Sequence, residues 1–433
     1  MGGLVGIVAF DELWNVSKFM YYGLLASHNR GDNYVVVLSN GRNLKSVGGD
    51  ITHLLLNKDS LDLLEGYVGI GGVYSQVDRL EGKYTYLSDN GYELSLLVDG
   101  YVDGSVLDIG RRLLKLVNLG YKLVEAFVEV IKGVRGVYSL LLINNKSEVI
   151  AYRSVPGLTP LHLGGYGFDL ALIATESVPI NILGGELRSA VKPGEYVYIS
   201  PDLVTVGEVP TDGVVNHAIC TFEYIYMARH DSVLDGIDVY SIRKSLGEEL
   251  GRRFEYDVDV VVGVPETAIP YALGFAKVLG KDLEYGFIST GVKVRTAIKG
   301  DPLERLIGIQ LKLNPVRYVF SGRRVAIVDD SLVRGLTVKS VIQILRNKLG
   351  VKEVHVVIGS PKLITNCPYG KEIPPKDELL TANLSDELAV KYVEADSITW
   401  LSVDEVSKLF SSSGMNLCTG CFLGGCLVRG GRS

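Results

Sequence analysis

Apolar and polar positions alternate with two different rhythms along this chain of 433 residues. In the first half the apolar stretches are short and bounded by turns. Residues 4–10 read as a buried strand, 13–27 have helical spacing, and 34–39 are a second strand. Strand patterns at 84–88 and 92–98 flank Asp89-Asn90-Gly91, a tight-hairpin signal because Asn and Gly tolerate the positive φ of such turns. Further strands are predicted at 137–143, 148–153, 170–175 and 196–199, with one long helical stretch over 106–131. Sheets with segregated helices predict an α+β layer arrangement.

After Pro210-Thr211-Asp212-Gly213 the rhythm changes. A helix pattern over 239–254 leads to strand 258–264 and helix 269–279. Later come strand 324–328, helix 338–349 and strand 354–359. Continuous apolar strands alternating with helices predict a parallel sheet covered on both faces. A boundary near residue 215 separates the halves, giving domains 1–215 and 216–433. The length agrees with two domains.

Composition narrows the class. Hydrophobic residues make up 47% and charged ones 22%, so a large core is available and disorder is excluded as the main state. The net charge is −6, without basic blocks, which favours neither a nucleic-acid nor a membrane partner. No apolar run suits a bilayer helix and no secretory signal is visible, so a cytoplasmic protein is expected. The five cysteines, Cys220, Cys367, Cys418, Cys421 and Cys426, all lie in the second half. An odd count in a reducing compartment leaves metal binding or buried thiols as alternatives to disulfides.

The sharpest local motif is the apolar strand 325–328, then Asp329-Asp330-Ser331, then Arg334-Gly335-Leu336-Thr337 before a helix. Ligands of open α/β sheets collect at the carboxyl ends of strands. Loop and helix-start N–H groups suit a phosphate, with Gly335 permitting close approach and Ser331 and Thr337 adding hydroxyls. Two adjacent carboxylates suit sugar hydroxyls and Mg2+. An isolated acidic pair would instead read as a solvated strand end. Neither a nucleotide P-loop nor a dinucleotide fingerprint occurs.

This loop resembles the phosphoribosyl pyrophosphate (PRPP) signature of type I phosphoribosyltransferases, and its surroundings resemble the glutamine PRPP amidotransferase family of purine synthesis. Cys220-Thr221-Phe222-Glu223-Tyr224-Ile225-Tyr226-Met227-Ala228-Arg229-His230-Asp231-Ser232 is similar to that family's CxFEYxYxARPDS, with His230 at its proline. Val264-Pro265-Glu266-Thr267-Ala268-Ile269-Pro270 resembles its VPDSGIP loop, and Arg295-Thr296 through Lys312-Leu313-Asn314-Pro315 its flexible segment. The resemblance implies an N-terminal nucleophile (class II glutaminase-like) α+β sandwich followed by an α/β type I phosphoribosyltransferase domain with a parallel sheet. It implies that ammonia from glutamine displaces pyrophosphate from PRPP, giving 5-phosphoribosylamine.

By motif position, Asp329 and Asp330 would hold ribose hydroxyls and Mg2+, with Thr296 nearby on the metal. Ser331, Arg334, Gly335 and Thr337 would hold the 5-phosphate, while Glu266 and Thr267 lie in the pyrophosphate loop. Arg295, Arg305 and Lys312 are candidates for neutralising departing pyrophosphate. Glu266, Ala268 and Leu336 depart from the family's Asp, Gly and Thr, and a Cβ at 268 is expected to crowd a backbone needing positive φ.

Cys418-Thr419-Gly420-Cys421 alone reads equally as a metal half-site, a redox pair or chance. In the iron-sulfur branch of the family, ligands stand where Cys220, Cys367, Cys418 and Cys421 stand here. The resemblance therefore implies a structural four-iron, four-sulfur cluster, leaving Cys426 unassigned.

Family members begin with a catalytic cysteine whose own α-amine activates the thiol. Gly2 stands at its place, and no cysteine precedes Cys220. GHVRYST becomes Gly71-Gly72-Val73-Tyr74-Ser75-Gln76-Val77, losing the Arg for the glutamine carboxylate. HNGNL becomes Val98-Asp99-Gly100-Tyr101-Val102, losing the oxyanion Asn. RDPxGxRPL becomes 153–161, and His28-Asn29-Arg30-Gly31-Asp32 keeps the outline of QHRGQD. A glutaminase fold without glutaminase chemistry is expected. Two readings of the whole follow: an ammonia-dependent PRPP transferase, or an inactive paralogue serving as scaffold or regulator of a competent amidotransferase. Partners implied by the resemblance are PRPP, purine nucleotides, further copies of the chain, or that paralogue.

Overall fold

The computed structural model describes residues 2–56, 64–75, 82–211, 217–289, 307–308, 310–311, 313–369 and 373–425. It divides into two compact units. One comprises 1–220 with 231–237 and 368–372; the other comprises 221–230, 238–367 and 373–433.

The first unit stacks two antiparallel sheets between helices. One sheet contains β1 (Gly2–Ala9), β2 (Asn33–Ser39), β3 (Leu44–Asp50) and β4 (Val68–Tyr74), with β1 between β4 and a later strand, Leu170–Ala174. The other contains β5 (Tyr84–Asp89), β6 (Tyr92–Val102), β7 (Gly136–Asn144) and β8 (Val149–Arg153). Alternation along β7 explains the layers: Leu141 and Ile143 join Leu4, Val8 and Val37 between the sheets, while Leu140 and Leu142 join Ile109, Leu113 and Phe127 under the helices.

The predicted hairpin forms as expected, with Asp89 opposite Tyr92 and positive φ at Asn90 (51°) and Gly91 (77°). The single helix expected over 106–131 is two helices, Val106–Asn118 and Leu123–Ile131. Gly120 adopts φ 97° between them, which ends the first helix and redirects the chain.

The second unit is a parallel α/β layer. Helix α1 (Val239–Arg253) precedes β9 (Val260–Gly263), α2 (Ile269–Leu279) and β10 (Leu283–Glu284); then follow β11 (Arg324–Asp329), α3 (Leu336–Leu349), β12 (Glu353–Ile358) and β13 (Ser397–Trp400). The sheet order is β10-β9-β11-β12-β13, all pairs parallel. Val260, Val262, Val325, Ile327, Val354 and Val356 share a core with Val341, Ile342 and Leu345 of α3. The intervening Val261, Ala326, Val328 and Val357 are buried too, so both faces are covered, as the unbroken apolar runs predict.

Helices α1 and α2 approach through glycines. A Cβ at Gly247 would lie 2.0 Å from the Tyr271 carbonyl oxygen, and one at Gly274 would lie 2.0 Å from that of Lys244. This contact fixes the helix that leaves the 264–268 loop. Gly274→Ala is expected to cost about 1–3 kcal/mol by overpacking and to lower the melting temperature by several degrees. Gly133→Ala, whose Cβ meets nothing nearer than 3.6 Å, should leave it almost unchanged; equal melting of both variants contradicts this packing account.

Candidate functional site

Parallel pairing brings two loops to one edge of the second unit. Gly263 at the end of β9 is opposite Val328 near the end of β11, and the Val264 N–H donates to the Val328 carbonyl at 2.9 Å. The 264–268 and 329–335 segments therefore leave adjacent strands at their carboxyl ends, where ligands of such sheets bind.

The acidic pair is built into this edge. The Asp330 backbone N–H donates to Asp329 Oδ1 at 2.9 Å, and the Ser331 hydroxyl donates to Asp330 Oδ1 at 2.7 Å. The Gly359 N–H donates to the Asp329 carbonyl at 2.8 Å, tying the pair to the end of β12. Burial, and next the neighbouring Asp330 charge, push the Asp329 carboxyl well above the usual carboxylate range. Burial raises Asp330 as well, opposed by its bond from Ser331 and by the positive charge of Arg243. Two carboxylates held together in a poorly solvated corner favour a cation or hydroxyl donors between them.

Past the pair, Gly335 caps α3 with φ 73°, a left-handed conformation that suits glycine. A Cβ there would press on Leu380 and Val393 at 3.1 and 3.2 Å. No side chain caps the helix, and the first intrahelical bond runs from Lys339 to Gly335 at 2.9 Å. The N–H groups of Leu336, Thr337 and Val338 thus lack helical carbonyl partners, the usual setting for an anion. Arg334 is exposed and its Nε donates to Glu378 at 2.6 Å. Thr337 is exposed and Ser331 half-buried.

In the neighbouring loop Glu266 is exposed and Thr267 half-buried. Ala268 is buried with φ −85° and ψ −5°, an ordinary helical conformation, so the crowding expected of its Cβ does not arise. Arg295, Thr296, Arg305 and Lys312 lie outside the described residues.

The iron-sulfur cluster is corrected by the structure. Among the described residues, no group of three or more His, Cys, Asp or Glu side chains is gathered to hold a metal ion. Cys220, Cys367, Cys418 and Cys421 form no disulfide, and Cys220 is buried while the others are half-buried. A cluster needs its thiolates converging on one centre, and spacing along the chain does not supply that convergence. Cys426 lies outside the described residues.

In the first unit, Gly2 opens β1 opposite Tyr74 on β4. A Cβ at Gly2 would stand 3.0 Å from Asp99 Oδ1 and 3.0 Å from the Tyr74 ring. Asp99, on β6, is 1% exposed. The positions that the sequence singles out, 2, 74 and 99, thus meet in one corner, with Gln76 and Val77 outside the described residues. Arg30 is buried and ion-paired with Glu176, which also accepts from Asn29 at 2.7 Å and from Ser232 at 2.5 Å. Sequence reasoning missed Glu176, because its partners lie 146 and 56 residues away.

Arg153 donates from both terminal nitrogens to Asp235, at 2.6 and 2.7 Å. Nearby, His162 Nδ1 donates to the Thr175 carbonyl at 3.0 Å, and its Nε2 accepts from the Asp235 N–H at 3.2 Å. An accepting Nε2 places the single ring proton on Nδ1.

The two units define the class: a glutaminase-like domain joined to a type I phosphoribosyltransferase domain. No family profile matches the chain. Comparison with known proteins nevertheless finds amidophosphoribosyltransferases among its relatives. That of Methanocaldococcus jannaschii is 33% identical over 98% of this chain and 97% of its own length. That of Pyrococcus horikoshii is 33% identical, covering 92% and 91%. The solved Bacillus subtilis glutamine PRPP amidotransferase, complexed with ADP and GMP, superposes with a TM-score of 0.85 at 28% identity, over 98% of this chain and 97% of that one. The chain belongs to the amidophosphoribosyltransferase family.

Burial pushes the His162 imidazole down to about 4. The unfolded ring, near 6.5, binds its proton first as pH falls, so stability is present above about pH 6.5 and is lost down to about pH 4. A loss on the order of 3 kcal/mol across that window is expected in urea unfolding. His162→Gln should flatten this slope; an unchanged slope contradicts the assignment.

Proposed function

We propose that this chain binds PRPP at the 329–337 loop and forms 5-phosphoribosylamine from ammonia, without glutaminase activity of its own. The observation that carries the reading is the contrast between the two corners. At one, loop, acidic pair and open helix start are all in place. At the other, the direction in which a nucleophile would project from position 2 runs into Asp99 and Tyr74 at 3.0 Å.

At the transferase corner, Asp329 and Asp330 accept from the ribose hydroxyls, which relieves their mutual repulsion. The pair, with Thr296 by motif position, would hold Mg2+, which would supply positive charge against the pyrophosphate. Ser331, Thr337 and the N–H groups of residues 336–338 receive the 5-phosphate. Arg334 would leave Glu378 for it, an exchange of one exposed ion pair that costs about 0–1 kcal/mol. Glu266 and Thr267, with Arg295, Thr296 and Lys312, are assigned to the pyrophosphate side by motif position. Ammonia is the nucleophile at C1, and pyrophosphate leaves with the electron pair of the broken C–O bond.

A second reading has one observation in its favour. Leu336, 44% exposed at the first helical position, places an apolar side chain where the family carries a hydroxyl. A chain that binds PRPP without turnover would then serve as scaffold or regulator of a cysteine-bearing paralogue, or assemble with itself. Purine nucleotides are the effectors to test, since the Bacillus relative is complexed with ADP and GMP.

Purified protein with PRPP, Mg2+ and ammonium at alkaline pH should release pyrophosphate, and Asp329→Asn should reduce that release at least about a hundredfold. Absence of release, with retained PRPP binding, supports the scaffold. Gly2→Cys alone should form no glutamate from glutamine, because Asp99 and Tyr74 remain against it. Glutamate production by that single variant contradicts the reading of this corner.

A further inference from the structure

The loop assigned to the 5-phosphate leans on a segment that no motif includes. The Leu380 N–H donates to the Val333 carbonyl at 2.8 Å, and the turn Lys376–Glu378 just before it is braced from several sides. Asn383 Nδ2 donates to the carbonyls of Lys376 and Leu379 at 2.7 and 2.8 Å, and the Thr381 hydroxyl donates to the Leu363 carbonyl at 2.7 Å. Leu379 and Leu380 are buried. A turn held this way presents Glu378 at one place, and its Oε2 accepts from Arg334 Nε at 2.6 Å and from Nη2 at 2.5 Å.

Exposed ion pairs usually contribute little, because two long side chains must be ordered to form them. Here the braced turn already fixes the backbone of one partner, so the ordering cost falls mostly on Arg334. The pair also changes the charge that an anion meets. The open N–H groups at the start of α3 carry partial positive charge, and Arg334 would add a full one, but Glu378 cancels it in the free protein. Lys339, one turn into the helix, is occupied as well: its Nζ stands 3.6 Å from Glu394 and 4.7 Å from the centre of the Tyr392 ring. The cations at 334 and 339 are therefore both engaged by carboxylates before any ligand arrives.

We propose that Glu378 sets the affinity and specificity of the phosphate loop: its carboxylate competes with an incoming phosphate monoester for Arg334. A dianionic phosphate draws the guanidinium away and takes the donors of its fork, whereas a group of lower charge leaves the pair shut. Binding through the phosphate alone is thereby held down, and contacts to the sugar and the pyrophosphate must complete it. This rests on reading 329–337 as the PRPP loop.

Calorimetric titration of the full chain with ribose 5-phosphate tests this. Glu378→Gln keeps an oxygen for Arg334 but removes the charge, so it should bind ribose 5-phosphate about two- to fivefold more tightly than the parent at low salt. The gain should shrink below about 1.5-fold in 1 M salt, where such charges are strongly screened. Asp377→Asn removes the same charge from the exposed neighbouring position and should change affinity by less than about 1.5-fold even at low salt. Unchanged or weaker binding by Glu378→Gln overturns the proposal, since the carboxylate would then be idle or would orient Arg334 for the ligand. Equal gains in the two variants also overturn it, by showing general repulsion in place of competition for Arg334. Should the parent bind with no gain in Glu378→Gln, the reading of the loop stands and only the competition falls; should neither bind, both fall.

Discussion

Two carboxylates one residue apart at the end of a doubly covered parallel strand are the constraint on which the second unit turns. Asp329 and Asp330 repel each other, and burial raises both above the usual carboxylate range. Such a pair is unfavourable in an empty fold, and several features answer it. Ser331 and the backbone N–H of Asp330 donate into it, and Gly359 ties its main chain to the next strand. What remains uncompensated faces the loop edge. On the proposed reading, a ligand rich in hydroxyls, accompanied by a cation, would remove the remaining strain, so that the cost of the pair in the free protein becomes affinity in the bound one.

The first unit shows the opposite relation between charge and chemistry. Its interior keeps a buried Arg30–Glu176 pair and a bidentate Arg153–Asp235 pair, and each of these carboxylates has its oxygens engaged. Removing one member of such a pair leaves a buried charge alone and costs several kcal/mol, which is a reason for retention independent of catalysis. On the proposed reading, the fold kept the residues that hold it together and lost the ones that served only glutamine.

What the sequence made legible follows physical range. The Asn90-Gly91 hairpin and the parallel strands 260–263 and 324–329 are local patterns, and they appear where expected. The break at Gly120 was hidden because the apolar spacing continues across it, while the positive φ is a property of one residue. Ala268 misled in the other direction: a glycine in the relatives suggested a special backbone, yet here the residue caps a helix in a common conformation. The four cysteines show the limit of motif position, since matching places along a chain do not guarantee that side chains converge. Glu378 and Glu176 could not be found from sequence at all. Each is one charged residue in an unremarkable stretch, and its meaning comes from partners that only the fold brings near.

The central claim is that nitrogen enters this chain's reaction as ammonia at the PRPP loop and not through its own glutaminase corner. Supplying the purified chain with PRPP, Mg2+, ammonium labelled with nitrogen-15 and unlabelled glutamine together, and reading the label in the phosphoribosylamine after trapping it as a stable derivative, tests this directly. The account predicts product labelled to the full enrichment of the ammonium, whatever the glutamine concentration. Unlabelled product that increases with glutamine would contradict it.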